Sequence, residues 1–160
     1  EEPLTFAELK THRRSDVANE DTLLAAYLAA ARAYYEQATW RALVTQTLGV
    51  RLSQWPGVDY IQLPRPPLAS VTSVAYVDSD GNSNTFASSN YNVYMNGEKG
   101  LIWLRDGSSW PSATLQPGPS IRITYVAGDG DAEDVAEMDK KAIRILTGNC
   151  YENSENVVAL

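Results

Sequence analysis

Apolar and polar residues recur with a helical period over the first 41 residues. Thr5 and Glu8 stand three residues apart, the spacing of a capping box, in which each side chain binds the other residue's backbone N–H group. Leu4 and Leu9 occupy the two positions of a hydrophobic staple around this box. The pattern predicts a short helix from about residue 6 to residue 13.

A second helix is predicted after the polar segment RRSDVANED, in which Asp16 or Asn19 can serve as the N-cap. Its apolar positions recur every three or four residues, at 23, 24, 27, 28, 31, 34, 35 and 38. Alanines at 25, 26, 29, 30, 31 and 33 keep this helix thin, so that another backbone could approach it closely. We interpret the apolar face mainly as core packing within the chain, with a face between subunits as the alternative.

The period changes to two between about residues 43 and 128, and Gly, Pro, Asn or Asp residues separate the alternating segments. Asp80-Gly81 lies between two such segments and indicates a hairpin, and NGEKG at 96 to 100 indicates another turn. The pattern predicts one antiparallel sheet built from the segments TQTLGVRLSQW, YIQL, SVTSVAYV, NYNVYM, GLIWL and SIRITYVAG.

The helical period returns from about residue 133 to residue 152. The apolar residues of this helix are predicted to share one buried face, with Cys150 as an inert packed thiol; they are Val135, Met138, Ala142, Ile145, Leu146 and Cys150.

The order helix, sheet, helix predicts one α+β domain over residues 1–160. Its helical parts, at about 5–41 and 133–152, are expected to pack together as a small bundle. The β segment at about 43–128 is then an insertion that forms a second lobe, and residues 153–160 form a C-terminal tail.

Composition narrows the functional classes. A chain of 160 residues is the usual size of one compact domain. It has no apolar run long enough to span a bilayer, and its first residues lack the pattern of an export signal, so we expect no membrane association. The net charge of −7 divides into −2 for residues 1–41, 0 for 42–128 and −5 for 129–160. Without a basic stripe, tight binding of nucleic acid is not expected.

Residues suited to catalysis or metal binding are few. His12 and Cys150 are the single residues of their kinds, so structural zinc and Cys-His chemistry are excluded. The acids of GDGDAED at 128 to 134 lack the ligand spacing of a calcium loop and are better explained by the start of a helix, while Asp78 and Asp80 suit a turn. We therefore predict no enzymatic activity, no metal site and no cofactor.

The segment IQLPRPPLASVTSVAYV, residues 61 to 77, places three prolines directly before a strand. Each proline fixes φ and removes a backbone donor, and each restricts the residue before it to extended conformations. The segment is predicted to be a rigid extended strut, with Leu63 and Leu68 anchoring its ends and Arg65 pointing away.

Three segments resemble the head-tail connector, or adaptor, family of long-tailed phages and gene transfer agents. They are the helix that ends in EQATWRALVTQT, the LPRPPLASVTSV segment and the YEN that closes the last helix, and the resemblance covers residues about 4 to 158.

The resemblance implies a structural virion protein without enzymatic activity. Such proteins form a twelvefold ring beneath the portal protein and present a lower surface to the stopper or tail-completion protein, while double-stranded DNA passes through the central channel without specific binding. The implied location is the head-tail interface of the virion, reached from the cytoplasm of the bacterial host during assembly. The implied portal-binding residues are Tyr151, Glu152, Asn153, Val157, Val158 and Leu160, and the candidates for a ring or tail interface are Arg65, Tyr27, Arg32 and Tyr35.

Two other functional classes remain open at this stage. A monomeric binding module could use Trp55, Trp103 and Trp110 as platforms for a carbohydrate or as contacts for a protein ligand. A hydrolase could use paired carboxylates such as Asp129 and Asp131, but it would need a cleft and a raised pKa, neither of which a sequence shows.

Overall fold

The computed structural model describes residues 2–5, 8–9, 21–96 and 99–152. The chain divides into two compact units, a helical unit of residues 1–44 and 130–160 and a β unit of residues 45–129. Helices and antiparallel sheets are both present, which confirms the predicted α+β class.

The helical unit contains α1 (Asp21–Thr39) and α2 (Glu137–Glu152). The two helices and the turn at Thr5–Leu9 enclose an apolar core, and Tyr35 and Leu146 pack against its edge. The most deeply buried members of this core are Leu28, Leu43 and Ile143.

The capping box is confirmed. The Thr5 N–H group donates to Glu8 Oε2 at 2.7 Å, and the Glu8 N–H group donates to Thr5 Oγ1 at 3.3 Å. The bond from the Thr5 N–H group, together with one that the Thr5 hydroxyl group donates to the same carboxylate oxygen at 2.8 Å, lowers the pKa of Glu8. Leu4 and Leu9, the predicted staple, are both buried in the core of the helical unit. The rest of the predicted first helix and the N-caps proposed for the second lie outside the described residues.

The buried face of α1 is narrower than the sequence pattern predicts. Leu24, Leu28 and Ala31 are buried, whereas 46% of Leu23 and 64% of Tyr34 is exposed. An apolar face of this width needs partners on both flanks, and the described part of the unit does not cover the flank that carries these two residues.

The predicted apolar face of α2 is correct only in part: Val135 is buried and Leu146 packs against the core, but other members of the predicted set are exposed. Met138 and Ile145 are 81% and 51% exposed, and Cys150 is exposed, so it is not the packed thiol that the pattern predicts. The buried face carries Ile143 with the polar residues Asp139, Lys140 and Thr147. Each of these polar side chains finds a partner, for example the Thr147 hydroxyl group, which donates to the Ile143 carbonyl group at 2.8 Å. Satisfied polar groups can be buried at low cost, which a purely apolar pattern does not reveal.

The start of α2 also lies about four residues later than predicted, at Glu137. Asp131 to Asp134 form a turn instead, in which the Asp131 N–H group donates to Asp134 Oδ2 at 2.9 Å and the Asp134 N–H group donates to the Asp131 carbonyl group at 3.0 Å.

The β unit contains two antiparallel sheets, where the sequence predicts one. The four-stranded sheet has the order β1-β7-β3-β4, and the three-stranded sheet has the order β2-β6-β5. Buried aliphatic and aromatic residues from both sheets form the interior of this unit. The strands are β1 (Gln46–Leu52), β2 (Tyr60–Leu63), β3 (Leu68–Val77), β4 (Ser83–Thr85), β5 (Tyr91–Asn96), β6 (Lys99–Leu104) and β7 (Ile121–Ala127), with a 3-10 turn at Ser88–Asn90.

The hairpin predicted at Asp80-Gly81 is confirmed, because β3 and β4 pair on either side of it and Gly81 has a φ of 84°. Asp78 Oδ1 accepts hydrogen bonds from the backbone N–H groups of Asp80 and Asn82, and the bond from Asn82 is the main cause that lowers the pKa of Asp78. At the second predicted turn, β5 and β6 pair antiparallel up to Asn96 and Lys99, and the two residues between them lie outside the described part of the chain.

The proline segment is not the extended strut that the sequence predicts. Leu63 and Leu68 are buried and anchor its two ends as expected, but the backbone bends at residues 64–66, where Arg65 has a φ of 56°. The Pro66–Pro67 peptide bond is cis. Two groups from the β7 side hold the bend. The Tyr125 hydroxyl group donates to the Pro64 carbonyl group at 2.6 Å, and the Gly128 N–H group donates to the Pro67 carbonyl group at 3.0 Å.

Gly100 of β6 lies directly against Leu68 of β3, which belongs to the other sheet. A Cβ atom at this position would stand 2.6 Å from Leu68 Cδ2 and 2.7 Å from Leu68 Cβ, which is closer than packed atoms allow. We expect Gly100→Ala to lower the free energy of unfolding by about 1 to 3 kcal/mol through overpacking. Urea denaturation measures this change.

Gly49→Ala is the matched control for this experiment. It also adds one methyl group to a strand of the β unit, but the nearest atom to its Cβ, the Ile123 carbonyl oxygen, is 3.9 Å away. We therefore expect little change in stability from Gly49→Ala. Equal effects of the two substitutions would show that contact with Leu68 is not the cause.

Candidate interaction surfaces

Tyr27 and Tyr151, which the sequence assigns to two different interfaces, lie together in the helical unit. Their rings meet edge to face, with centroids 6.1 Å apart and an interplanar angle of 81°. Such pairs contribute about 0.5 to 1.5 kcal/mol beyond area burial. The contact ties the last turn of α2 to the first half of α1.

Arg32 makes its ion pairs inside the helical unit. Its Nε atom lies 3.0 Å from Glu2 Oε2, although not in hydrogen-bonding orientation, and its Nη1 atom lies 3.9 Å from Glu36 Oε2. Glu36 is itself buried and accepts a hydrogen bond from the Leu43 N–H group at 2.9 Å. Arg32 therefore lies close to two carboxylates of the helical unit, and a quarter of its side chain stays exposed.

Tyr35 links α1 to α2 through a short hydrogen bond. Its hydroxyl group donates to Asp139 Oδ1 at 2.6 Å, and Arg41 Nη1 lies 3.6 Å from the other carboxylate oxygen. The hydrogen bond to Asp139, together with burial and the carboxylate charge, raises the pKa of Tyr35.

We expect Tyr35→Phe to lower the free energy of unfolding by about 1 to 2 kcal/mol at neutral pH, because it removes a hydrogen bond to a charged group. A raised folded-state pKa contributes stability that is complete below the ordinary tyrosine pKa of 10.0 and is lost as the pH rises through the folded value. The difference between Tyr35→Phe and the unchanged protein should therefore shrink above about pH 10. Chemical denaturation from pH 7 to 11 measures it, and a difference that stays constant with pH would contradict this assignment.

The sequence predicts that Arg65 points away from the proline segment. In the structure Arg65 is half-buried in this segment. Burial of the phenol raises the pKa of Tyr125, and the charge of Arg65 offsets only part of this increase. The backbone of Glu152 ends α2, and Asn153, Val157, Val158 and Leu160 lie outside the described residues.

Two of the three tryptophans considered as ligand platforms stack on each other. The rings of Trp55 and Trp110 are nearly parallel, with centroids 5.1 Å apart, and Phe86 packs against both. The Trp110 indole N–H group also donates to the Val58 carbonyl group at 2.9 Å. These two rings hold the β unit together, so they do not support the carbohydrate-binding interpretation.

The third tryptophan belongs to an exposed aromatic surface on the three-stranded sheet. Trp103 stacks on its cross-strand partner Tyr60 with ring centroids 5.0 Å apart, and 41% of Trp103 is exposed. Tyr94 and Leu101 lie beside Trp103 in a shallow depression of about 550 Å³. Exposed aromatic residues of this kind are common at protein interfaces.

The four-stranded sheet presents a different, cationic surface. Arg51 of β1 stands directly opposite Arg122 of β7, and both are exposed. They line a depression of about 440 Å³ together with Ser83, Gln116 and Ser120. The sequence analysis missed this pair. Each arginine occupies a polar position of an alternating strand, but only the pairing of β1 with β7 brings the two together.

Among the described residues, no group of three or more His, Cys, Asp and Glu side chains is arranged to hold a metal ion. No helix in the part of the chain that the structure describes is long and apolar enough to cross a membrane.

No protein-family model and no curated protein matches the sequence. Chains in solved structures do match this protein. The chain is similar to a chain in the neck of an empty gene transfer agent particle computed with C6 symmetry, with a TM-score of 0.80 and 28% identity over 94% of this chain and 78% of that chain. A chain in the virion of a native gene transfer agent particle has a TM-score of 0.80 and 27% identity over 94% of this chain and 78% of that one. A chain in the neck of a native gene transfer agent particle computed with C12 symmetry has a TM-score of 0.76 and 26% identity over 91% of this chain and 75% of that chain.

Proposed function

We propose that the protein is a structural component of a virion neck, and that within the neck it is the adaptor that joins the DNA-filled head to the stopper or tail. The similarity to neck chains of gene transfer agent particles supports the structural role most directly, since it covers nearly the whole chain at a TM-score of 0.80. The adaptor role and the DNA channel are further steps, which rest on the sequence resemblance to head-tail connectors.

The proposed assembly is a ring of twelve copies on the portal. Symmetries of C6 and C12 in the similar neck structures support a ring with many copies. We expect isolated subunits to be monomers or weak oligomers, because a net charge of −7 on each copy opposes lateral association.

DNA is proposed to pass through the ring without being held. A lining rich in lysine and arginine would bind phosphates by releasing counterions, whereas a neutral or acidic lining lets the duplex slide. The chain has 20 acidic and 13 basic side chains, so it does not need to present a continuous basic lining.

The portal is proposed to bind the end of the chain. The packing of Tyr151 on Tyr27 holds the last turn of α2 in place, so the segment that follows starts from a fixed point. That segment contains Val157, Val158, Ala159 and Leu160, which suit an apolar groove on a partner.

In this proposal the protein acts by binding and positioning, and it performs no chemistry of its own. It needs no cofactor, and its place is the head-tail interface of the particle, which is assembled in the bacterial cytoplasm.

Electron microscopy of the protein mixed with purified portal tests the proposal. We expect extra density in the form of a twelvefold ring on the tail-facing side of the portal, with an open centre. A glycan-binding screen and the mass in solution address the competing class. If the protein stays a monomer, does not bind the portal and binds a defined glycan, it is a binding module and not an adaptor.

A further inference from the structure

The two arginines of the cationic surface have no carboxylate partner in the part of the chain that the structure describes. Arg51 and Arg122 face each other across adjacent strands, a register in which like charges repel. An anion bound between them would attract both guanidinium groups and offset their mutual repulsion.

The depression around the arginines offers further groups suited to an anion. The Ser120 hydroxyl oxygen is buried and has no hydrogen-bond partner, and Gln116 and Ser83 contribute polar atoms. Tyr76, Pro117 and Pro119 line the same depression and give it an apolar wall. Guanidinium groups beside a hydroxyl donor form an arrangement that binds carboxylates through paired, charge-assisted hydrogen bonds.

We propose that this cleft binds carboxylate side chains of a second copy of the chain, and that Asp131 and Glu133 of that copy supply them. The inference rests on the proposed ring and names one of its contacts. A closed ring of identical copies needs a head-to-tail interface, in which two different surfaces of the chain complement each other. The arginine cleft and an acidic segment elsewhere in the chain satisfy this requirement by charge.

The acidic segment is chosen from the most acidic part of the chain. Residues 129–160 carry eight acids and three bases. Asp131 and Glu133 are exposed, and among the described residues no group bonds to their carboxylates, whereas the Asp134 carboxylate accepts a hydrogen bond from the Asp131 N–H group. The turn at 131–134 holds the backbone of both free acids in a fixed position.

Two charge-reversed variants test the contact. In R51E/R122E the cleft becomes acidic, and in D131K/E133K the acidic segment becomes basic, so each variant alone would bring like charges together at the contact. In an equimolar mixture every contact can again join opposite charges, in an alternating arrangement that still closes into a ring of twelve copies.

A carbodiimide, which couples amines to carboxylates that touch, detects the contact in solution without a portal. The reaction is run at about 10 mM ionic strength, where the screening length is about 30 Å. We expect mass spectrometry to find cross-links between the lysines at 131 or 133 and the glutamates at 51 or 122, in the mixture only. Their yield in the mixture should fall by about tenfold or more at an ionic strength of about 1 M, where the screening length is about 3 Å.

Portal-bearing particles provide the second measurement. Each variant alone should fail to complete the ring, and the mixture should complete it. K99E/K141E is the control for net charge, because it changes the charge by the same amount as R51E/R122E at two exposed positions outside the contact, and it should assemble normally. Thermal melts of all variants confirm that each is folded.

The remaining outcomes separate the inference from the proposed function. Rings formed by each variant alone, or a mixture without the cross-links, would overturn the contact and leave the adaptor role intact. The cross-links in a protein that never binds the portal would support the contact and remove the adaptor role. Salt-sensitive binding of duplex DNA that only R51E/R122E loses, with no cross-links, would identify phosphate as the anion and overturn the inference.

Discussion

Ile143→Ala is expected to lower the free energy of unfolding by about 2 to 5 kcal/mol, which is a large share of the stability of a domain of this size. Ile143 is fully buried where α2 meets the core of the helical unit, beside Leu28 and Leu43. Truncation removes apolar contacts and leaves a cavity that the surrounding helices fill only in part. Urea denaturation followed by circular dichroism measures the change.

Ile145→Ala is the matched control, since it makes the same truncation two residues further along the same helix. Ile145 is 51% exposed, so its substitution should change stability by less than about 0.5 kcal/mol. The comparison also separates the observed face of α2 from the one that the sequence pattern predicts, which included Ile145 and left out Ile143. A larger loss from Ile145→Ala than from Ile143→Ala would contradict the observed packing.

Deletion of residues 153–160 is expected to abolish or sharply weaken attachment to portal-bearing heads while leaving the melting temperature nearly unchanged. Burial of Val157, Val158 and Leu160 in a groove of the portal would contribute about 4 to 6 kcal/mol before the cost of ordering the segment. Twelve such contacts around a ring reinforce one another through effective concentration. Electron microscopy of decorated portals and a thermal melt measure the two effects.

A full-length variant with V157S, V158S and L160S tests the chemistry of the tail separately from its length. It should attach as poorly as the deletion, because it removes the apolar surface and keeps the chain. Early unfolding of the truncated protein would show that the tail belongs to the core of the subunit. Attachment at the unchanged level would exclude the tail as the portal contact.

Structure and sequence agree best where neighbouring residues decide the conformation. The capping box of Thr5 and Glu8 and the hairpin at Asp80-Gly81 depend on residues two to four positions apart, and both are present as predicted. The alternating segments became strands because a period of two is a property of the strand itself. The helix, sheet, helix order follows from the same local signals, as does the α+β class.

The sequence predictions fail where contacts between residues far apart in the chain determine the structure. The β unit has two sheets where the sequence predicts one, because the pattern within a strand does not show which strands pair. The buried face of α2 carries Asp139, Lys140 and Thr147, since groups elsewhere in the unit or along the helix satisfy these polar side chains. The proline segment bends because Tyr125 and Gly128, about sixty residues away, bind its carbonyl groups.

The same division applies to the proposed surfaces. By itself the sequence determined that this is an acidic α+β chain with an apolar segment at 157–160, and its resemblance to head-tail connectors already pointed to a neck protein. Only the tertiary structure placed Tyr27 on Tyr151 and Arg51 opposite Arg122. The physical reason is that local conformation depends on the side chains within one turn or hairpin, whereas a surface is assembled by helix packing and strand register between segments far apart in the chain.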